Sequence, residues 1–203
     1  FEYKCKAAIE HFQIISLKDY HFTYKFKEAC RPYVNRYCHN ATTKAEVIRC
    51  LSNYVREDIM KDSQHRILKD CRQQLRAQLY QQRENIKLDP LLQHSCEADI
   101  KKFCATVEPG NSRILECLAS HKAKVTPFCH KQLFKIRQME FFDSSSDFLL
   151  WNTCRSMIWQ FCQKEPDKTK IFDCLKNFKD EDVFDDKCKD IVVKRMIEQN
   201  TDY

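Results

Sequence analysis

Twelve of the thirteen cysteines fall into three blocks with one shared spacing: Cys30, Cys38, Cys50, Cys71; Cys96, Cys104, Cys117, Cys129; and Cys154, Cys162, Cys174, Cys188. In each block the first two are 8 positions apart and the next step is 12 or 13. The step from a fourth cysteine to the next first one is always 25, from Cys71 to Cys96 and from Cys129 to Cys154, and Cys5 stands 25 before Cys30. Self-similarity of this kind means a tandem array of small supersecondary units. It also places function on a composite surface rather than in one pocket. Cys5 takes the place of a fourth cysteine, so it is expected to be unpaired through truncation, its partner belonging to an earlier block. The expected boundaries are 1–24 for the last helix of a preceding repeat, then cysteine-rich repeats over 25–88, 89–146 and 147–203.

Within each block the apolar residues follow a helical period. Cys30, Val34, Tyr37, Cys38 recur as Cys96, Ile100, Phe103, Cys104 and as Cys154, Ile158, Phe161, Cys162. Offsets of 4, 7 and 8 mark one face of an α-helix. A second segment repeats Val47, Ile48, Cys50, Leu51 as Ile114, Leu115, Cys117, Leu118 and as Ile171, Phe172, Cys174, Leu175. Thr43 with Glu46 reads as a capping box at its start, while Pro109-Gly110 and Pro166-Asp167 punctuate the same junction in the other blocks. A third segment opens at the fourth cysteine: Cys71, Leu75, Leu79; Cys129, Leu133, Ile136; Cys188, Val192, Met196, with Cys5, Ile9 and Phe12 matching it. One glycine and five prolines in 203 residues leave little material for a β-sandwich. The fold class is all-α, disulfide-stapled tandem helical repeats in an elongated, solenoid-like array.

Geometry constrains the pairing. Two cysteines 8 apart on one helix are separated by about 12 Å at about 1.5 Å per residue. A disulfide needs Cα atoms within about 7 Å. In an antiparallel hairpin the second cysteine lies nearest the turn and meets the third, which leaves the first for the fourth. The expected bonds are Cys38–Cys50 inside Cys30–Cys71, Cys104–Cys117 inside Cys96–Cys129, and Cys162–Cys174 inside Cys154–Cys188. Blocks of about 60 residues are at the size where such staples help, and even cysteine sets fit an oxidising compartment.

Other chemistries find little support. Zinc ligands come as close pairs, about two to four residues apart; no such pair is read here, and the seven histidines (His11, His21, His39, His65, His94, His121, His130) share no position across the repeats. No catalytic constellation stands out. Ser144-Ser145-Ser146, between Asp143 and Asp147, reads as a polar linker. One glycine cannot build a phosphate-cradling loop. The chain is read as a non-enzyme without cofactor or metal. Trp151 and Trp159 flank Cys154 and Cys162 and are read as core, an exposed tryptophan as an interface anchor being the alternative. Asn40-Ala41-Thr42 is a glycosylation acceptor in an expected loop.

Charge is uneven. Between Arg66 and Arg137 there are 14 basic and 7 acidic residues, whereas Lys164 to Asp190 holds 7 basic and 9 acidic. Arg72, Arg76, Arg83, Lys101, Lys102, Lys131 and Lys135 form the candidate binding patch, for a sulfated glycan or an acidic protein partner. Nucleic acid is excluded by the oxidising compartment.

With these residues in hand, the chain resembles the cysteine-rich repeat family of Golgi glycoproteins, whose members are described as cysteine-rich fibroblast growth factor receptors and E-selectin ligands. The likeness covers the whole chain. It rests on the 8-residue cysteine step, the pairs Cys50-Leu51, Cys117-Leu118 and Cys174-Leu175, and the constant junction. Stretches such as Glu2-Tyr3-Lys4-Cys5-Lys6, Ala98-Asp99-Ile100-Lys101-Lys102-Phe103-Cys104 and Gln199-Asn200-Thr201-Asp202-Tyr203 carry it further. The resemblance implies the lumenal part of a type I membrane protein anchored by a segment outside this chain. It implies Golgi residence with cell-surface or secreted display. It also implies binding of secreted growth factors of the fibroblast type and, by resemblance only, of a selectin. A structural spacer and a saposin-like lipid module are the alternatives.

Overall fold

In a computed structural model the chain is described over residues 2–9 and 22–201. Phe12, His11 and His21, named above, lie outside the described residues. Residues 2–9 are helical (α1). There follow α2 (Tyr24–Tyr37), α3 (Lys44–Met60), α4 (Lys69–Glu84), α5 (Pro90–Ser95), α6 (Glu97–Phe103), α7 (Arg113–Ser120), α8 (Pro127–Phe142), α9 (Phe148–Thr153), α10 (Arg155–Phe161), α11 (Ile171–Phe178) and α12 (Asp186–Gln199). Three short 3-10 turns are interspersed, and no strand occurs among the described residues.

The two 25-residue junctions that lie wholly among the described residues share one structural form. After Cys71 the chain runs through α4, the turn Ile86–Leu88 and the six-residue α5 into Cys96; after Cys129 it runs through α8, the turn Ser144–Ser146 and the six-residue α9 into Cys154. Equal spacing thus encodes an equal order of elements. At Cys96 and Cys154 the backbone leaves helical geometry for one residue, at φ −109° and −95°, so the first segment splits into two short helices. In the first block it stays one helix, α2, despite Pro32.

Each block is a helical hairpin closed by its fourth-cysteine helix. The pairs α2 with α3, α6 with α7, and α10 with α11 pack together. The inner bonds are Cys38–Cys50, Cys104–Cys117 and Cys162–Cys174, with Cα atoms 6.0, 6.1 and 6.0 Å apart. The outer bonds are Cys30–Cys71, Cys96–Cys129 and Cys154–Cys188, at 4.8, 4.7 and 4.8 Å. Cys5 is exposed and unbonded.

The chain divides into two compact units, one ending at Gln82 and taking in Lys87–Pro90, the other made of Arg83–Ile86 and everything from Leu91. In the first, Phe26, Val47, Ile48, Leu51, Ile67 and Leu75 are buried. The second holds two cores. One gathers Leu92, Ile114, Leu115, Leu118, Leu133 and Ile136 around the second block's disulfides. The other gathers Leu150, Met157, Ile171, Phe172, Leu175 and Val192 around those of the third. The apolar positions at offsets 4 and 7 pack against these cores, as Ile100 and Phe103 do in one and Ile158 and Phe161 in the other.

The Thr43 hydroxyl caps α3 by accepting from Glu46 N at 3.2 Å, and the Glu46 carboxylate accepts in return from the backbone N–H of Thr43 and, at 2.8 Å, from that of Thr42. Two other local readings need revision. Ser144-Ser145-Ser146 does link α8 to α9, but as a buried turn. Ser144 is 1% exposed; its hydroxyl donates to Thr169 O at 3.0 Å and accepts from Phe172 N at 3.2 Å. The run is polar because it supplies the hydrogen bonds that a buried turn lacks. Trp151 packs on the third core, whereas Trp159 is 71% exposed and leaves it. The two tryptophans lie 8 residues apart in sequence, but the break at Cys154 puts them on different helices, so helical period no longer relates their faces.

Candidate functional site

The residues of the expected basic patch are shared between the two compact units. Arg72 and Arg76 lie on α4 in the first unit and are half-buried, with Arg72 donating to Ile67 O at 2.9 Å. In the second unit Lys101 and Lys102 are exposed at the end of α6. Lys101 pairs with Glu97 at 3.2 Å, and Lys102 lies over the Phe103 ring. Lys131 is exposed and Lys135 half-buried, one turn apart on α8. Arg83 is the correction: it is 7% exposed, and its Nε lies 3.8 Å from Glu140 Oε1. A cation sequestered beside a buried carboxylate is not offered to a partner. The exposed lysines Lys101, Lys102 and Lys131 remain as candidate contact residues.

Arg83 instead belongs to a buried charge cluster in the second unit. Arg137 of α8 reaches Glu116 of α7 at 2.8 Å and Glu140 on its own helix at 2.7 Å. Arg195 of α12 reaches the same Glu116 at 2.7 Å and Asp147 at 2.7 Å. Glu198 of α12 lies 2.8 Å from Arg137 Nε and 3.3 Å from Arg195. Arg137 and Arg195 are among the largest fully buried side chains. Asp147 has a second task, since its Oδ1 accepts from Leu150 N at 3.1 Å and so caps α9.

The chain order explains what the cluster does. Glu116, Arg137 and Glu140 come from the second block, Arg195 and Glu198 from the last helix of the third, and Asp147 from the turn that leads into it. Arg137 and Arg195 each contact carboxylates from both blocks. Buried ions are costly to desolvate and tolerate little displacement once paired. The cluster therefore fixes how α12 and the start of α9 sit on α7 and α8.

The titration behaviour follows from the same contacts. Burial opposes the charged form of Glu116, but Arg137 and Arg195 outweigh it by charge and hydrogen bonds and hold its carboxyl far below the usual range. Burial, aided by the negative charge of Asp147, pushes Glu140 up to about 7 against the pull of Arg137, Arg195 and Arg83.

Two further points bear on chemistry. Cys104, Cys117 and His121 lie close enough together to resemble a metal set. Both sulfurs are already joined to each other, and His121 Nδ1 is 2.8 Å from Cys117 O, so the trio in this oxidised state offers no thiolates. Asn40 is exposed, in the turn between α2 and α3. Among the described residues no helix is long and apolar enough to cross a membrane.

Comparison with known proteins bears on the repeats. The family described as cysteine rich repeat matches residues 3–58, 69–126 and 127–183. The chain is 41% identical over 201 residues to Golgi apparatus protein 1 of Rattus norvegicus and to that of Homo sapiens. It is 34% identical over 210 residues to the Golgi apparatus protein 1 homolog of Caenorhabditis elegans. Each alignment covers 98% of this chain but only 17% or 18% of the relative's length. No solved structure matches the chain. The matched segments begin just before Cys5, Cys71 and Cys129, so Cys30–Cys71 and Cys96–Cys129 each bond one matched segment to the next.

Proposed function

Since this chain belongs to the cysteine-rich repeat family, we propose that it is a ligand-binding stretch of the lumenal region of a Golgi glycoprotein, with repeats over 25–88, 89–146 and 147–203. The observation that carries this reading is 41% identity across 98% of the chain to proteins named Golgi apparatus protein 1. Six disulfides fit an oxidising lumen. The ligands are secreted proteins of the fibroblast growth factor type, bound by surface complementarity and without catalysis. Membrane attachment would come from a segment outside this chain. The exposed lysines Lys101, Lys102 and Lys131 are the contact residues, to an acidic face of the partner or to a sulfated glycan held between the two. A selectin is a further partner by family likeness alone.

The test is binding of the oxidised chain to an immobilised fibroblast growth factor, with competing heparin and a salt series. Saturable binding that weakens with salt supports the reading. Lys101→Glu with Lys102→Glu and Lys131→Glu is expected to weaken it by about tenfold or more. Unchanged affinity removes the lysine assignment, and no binding by folded chain removes the ligand reading for this segment.

One observation favours a second reading, the spacer. The buried charge cluster joins neighbouring blocks, which is what a fixed-geometry display element requires.

A further inference from the structure

The first block holds an open cleft of about 390 Å³ that its own side chains do not fill, lined by Tyr37, Asn40, Arg49, Asn53, Tyr54 and Glu57 among others. It lies where the Cys38–Cys50 bond ties the end of α2 to the second turn of α3. Ligand clefts run from about 300 to 1,000 Å³, and the small end of that range suits one or two sugar rings.

The walls are already ordered. Tyr37 and Tyr54 have ring centroids 4.9 Å apart. Arg36 lies 5.3 Å from the Tyr37 centroid and Arg66 lies 4.5 Å from that of Tyr54. Arg66 is in turn held by Glu57 at 3.2 Å and by Asp58 at 2.8 Å. Little conformational freedom remains to be lost on binding.

The lining is mixed in a way that selects ligand class. Arg49 donates, Glu57 accepts, and Asn53 does both. A simple anion would meet Glu57 and a simple cation would meet Arg49. A neutral group with many hydroxyls, each donor and acceptor, satisfies all three, and an acetamido methyl suits the tyrosine edges. Asn40 stands in the same lining, exposed, and begins the acceptor triplet Asn40-Ala41-Thr42. Its position is fixed on both sides: Ala41 N donates to Cys38 O at 3.0 Å, and the Thr42 amide and hydroxyl donate to Glu46 Oε2 at 2.8 and 3.1 Å.

The geometry points to this cleft as the seat of the innermost N-acetylglucosamine residues of a glycan carried on Asn40. The glycan lies against α3 and leaves the block in a fixed direction. This rests on the lumenal reading only in that Asn40 must meet a glycosylating compartment.

The experiment secretes the whole chain behind an added leader, so that occupancy is asked independently of the natural compartment and of growth factor binding. Mass spectrometry reads occupancy at Asn40. The glycan is then trimmed to a single N-acetylglucosamine, and amide hydrogen exchange is compared with Asn40→Gln. Exchange over residues 37–41 and 49–57 is expected to be about threefold or more slower in the trimmed glycoform. Arg49→Ala and Asn53→Ala, which remove cleft groups and no core atoms, should each erase that difference. An unoccupied Asn40, equal exchange in the two forms, or protection that survives both alanine variants overturns the proposal.

Discussion

Arg195 shows how much one residue decides here. Its guanidinium touches Glu116, Asp147 and Glu198 while 1% exposed. Arg195→Ala leaves three largely buried carboxylates short of a partner, and is expected to lower unfolding free energy by about 3–5 kcal/mol. Lys194→Ala, next along, exposed and 3.4 Å from Glu116, should cost less than about 1 kcal/mol. Urea unfolding of the two variants checks the contrast. Glu140 makes the pH counterpart. Its proton is held more tightly in the folded chain than in the unfolded one, so the stability it contributes is present in acid and lost as pH rises through about 7. Glu116 acts in reverse: its contribution is present above the ordinary carboxylate range and lost as pH falls toward its depressed value. The second unit should be most stable at mildly acidic pH. Lowering the pH from 8 to 6 is expected to raise its melting midpoint by about 2–5 °C, and Glu140→Gln should flatten the dependence. His65, in the first unit, is lowered by burial and then by Arg72, and works the opposite way below its ordinary value. Hydrogen exchange in α8 and α12 is therefore the readout that isolates Glu140.

At the scale of elements, the helical hairpins were legible and their surroundings were not. Offsets of 4, 7 and 8 located α6 and α10 because a helix buries one stripe and the period survives any packing. Nothing periodic marks Trp159, on α10, as exposed. Its fluorescence is expected to be quenched readily by acrylamide, with Trp151 shielded in the third core, so Trp159→Phe should remove most of the quenchable signal while leaving stability within about 0.5 kcal/mol. The staples differ by element as well. The outer bond Cys154–Cys188 closes a separation of 34 and the inner Cys162–Cys174 one of 12. In the chain-entropy picture the longer loop contributes about 1 kcal/mol more, so replacing the outer pair by serines should cost more than replacing the inner pair. Thermal unfolding of the two double variants measures the order.

For the whole molecule, two periods run out of register. The family's repeat begins before a fourth cysteine, whereas the disulfide-closed block ends at one. A fragment covering 69–126 contains Cys104 and Cys117 as a bonded pair but separates Cys71 and Cys96 from Cys30 and Cys129. It is expected to oxidise poorly and to show free or mispaired thiols by mass spectrometry. A fragment covering 89–146 keeps both bonds of its block and should oxidise cleanly.

The sequence by itself determined the all-α class, the hairpins and the common form of the 25-residue junction. Each of these depends on regularities along the chain, where helix rise and side-chain period act between near neighbours. Even the nested order of the cysteines follows from what a rigid helix keeps apart. Tertiary structure alone decided the charge cluster, the cleft beside Asn40 and the burial of Arg83. Glu116 and Arg195 are 79 positions apart, and each reads in isolation as an ordinary solvated charge. The one local trace was a repeated pair, Arg137 with Glu140 and Arg195 with Glu198, three apart on two fourth-cysteine helices. Such pairs are common on open helix faces. Only the packing of α12 and α9 on the second block took these away from water, and burial is what turns a surface charge into a fixed joint.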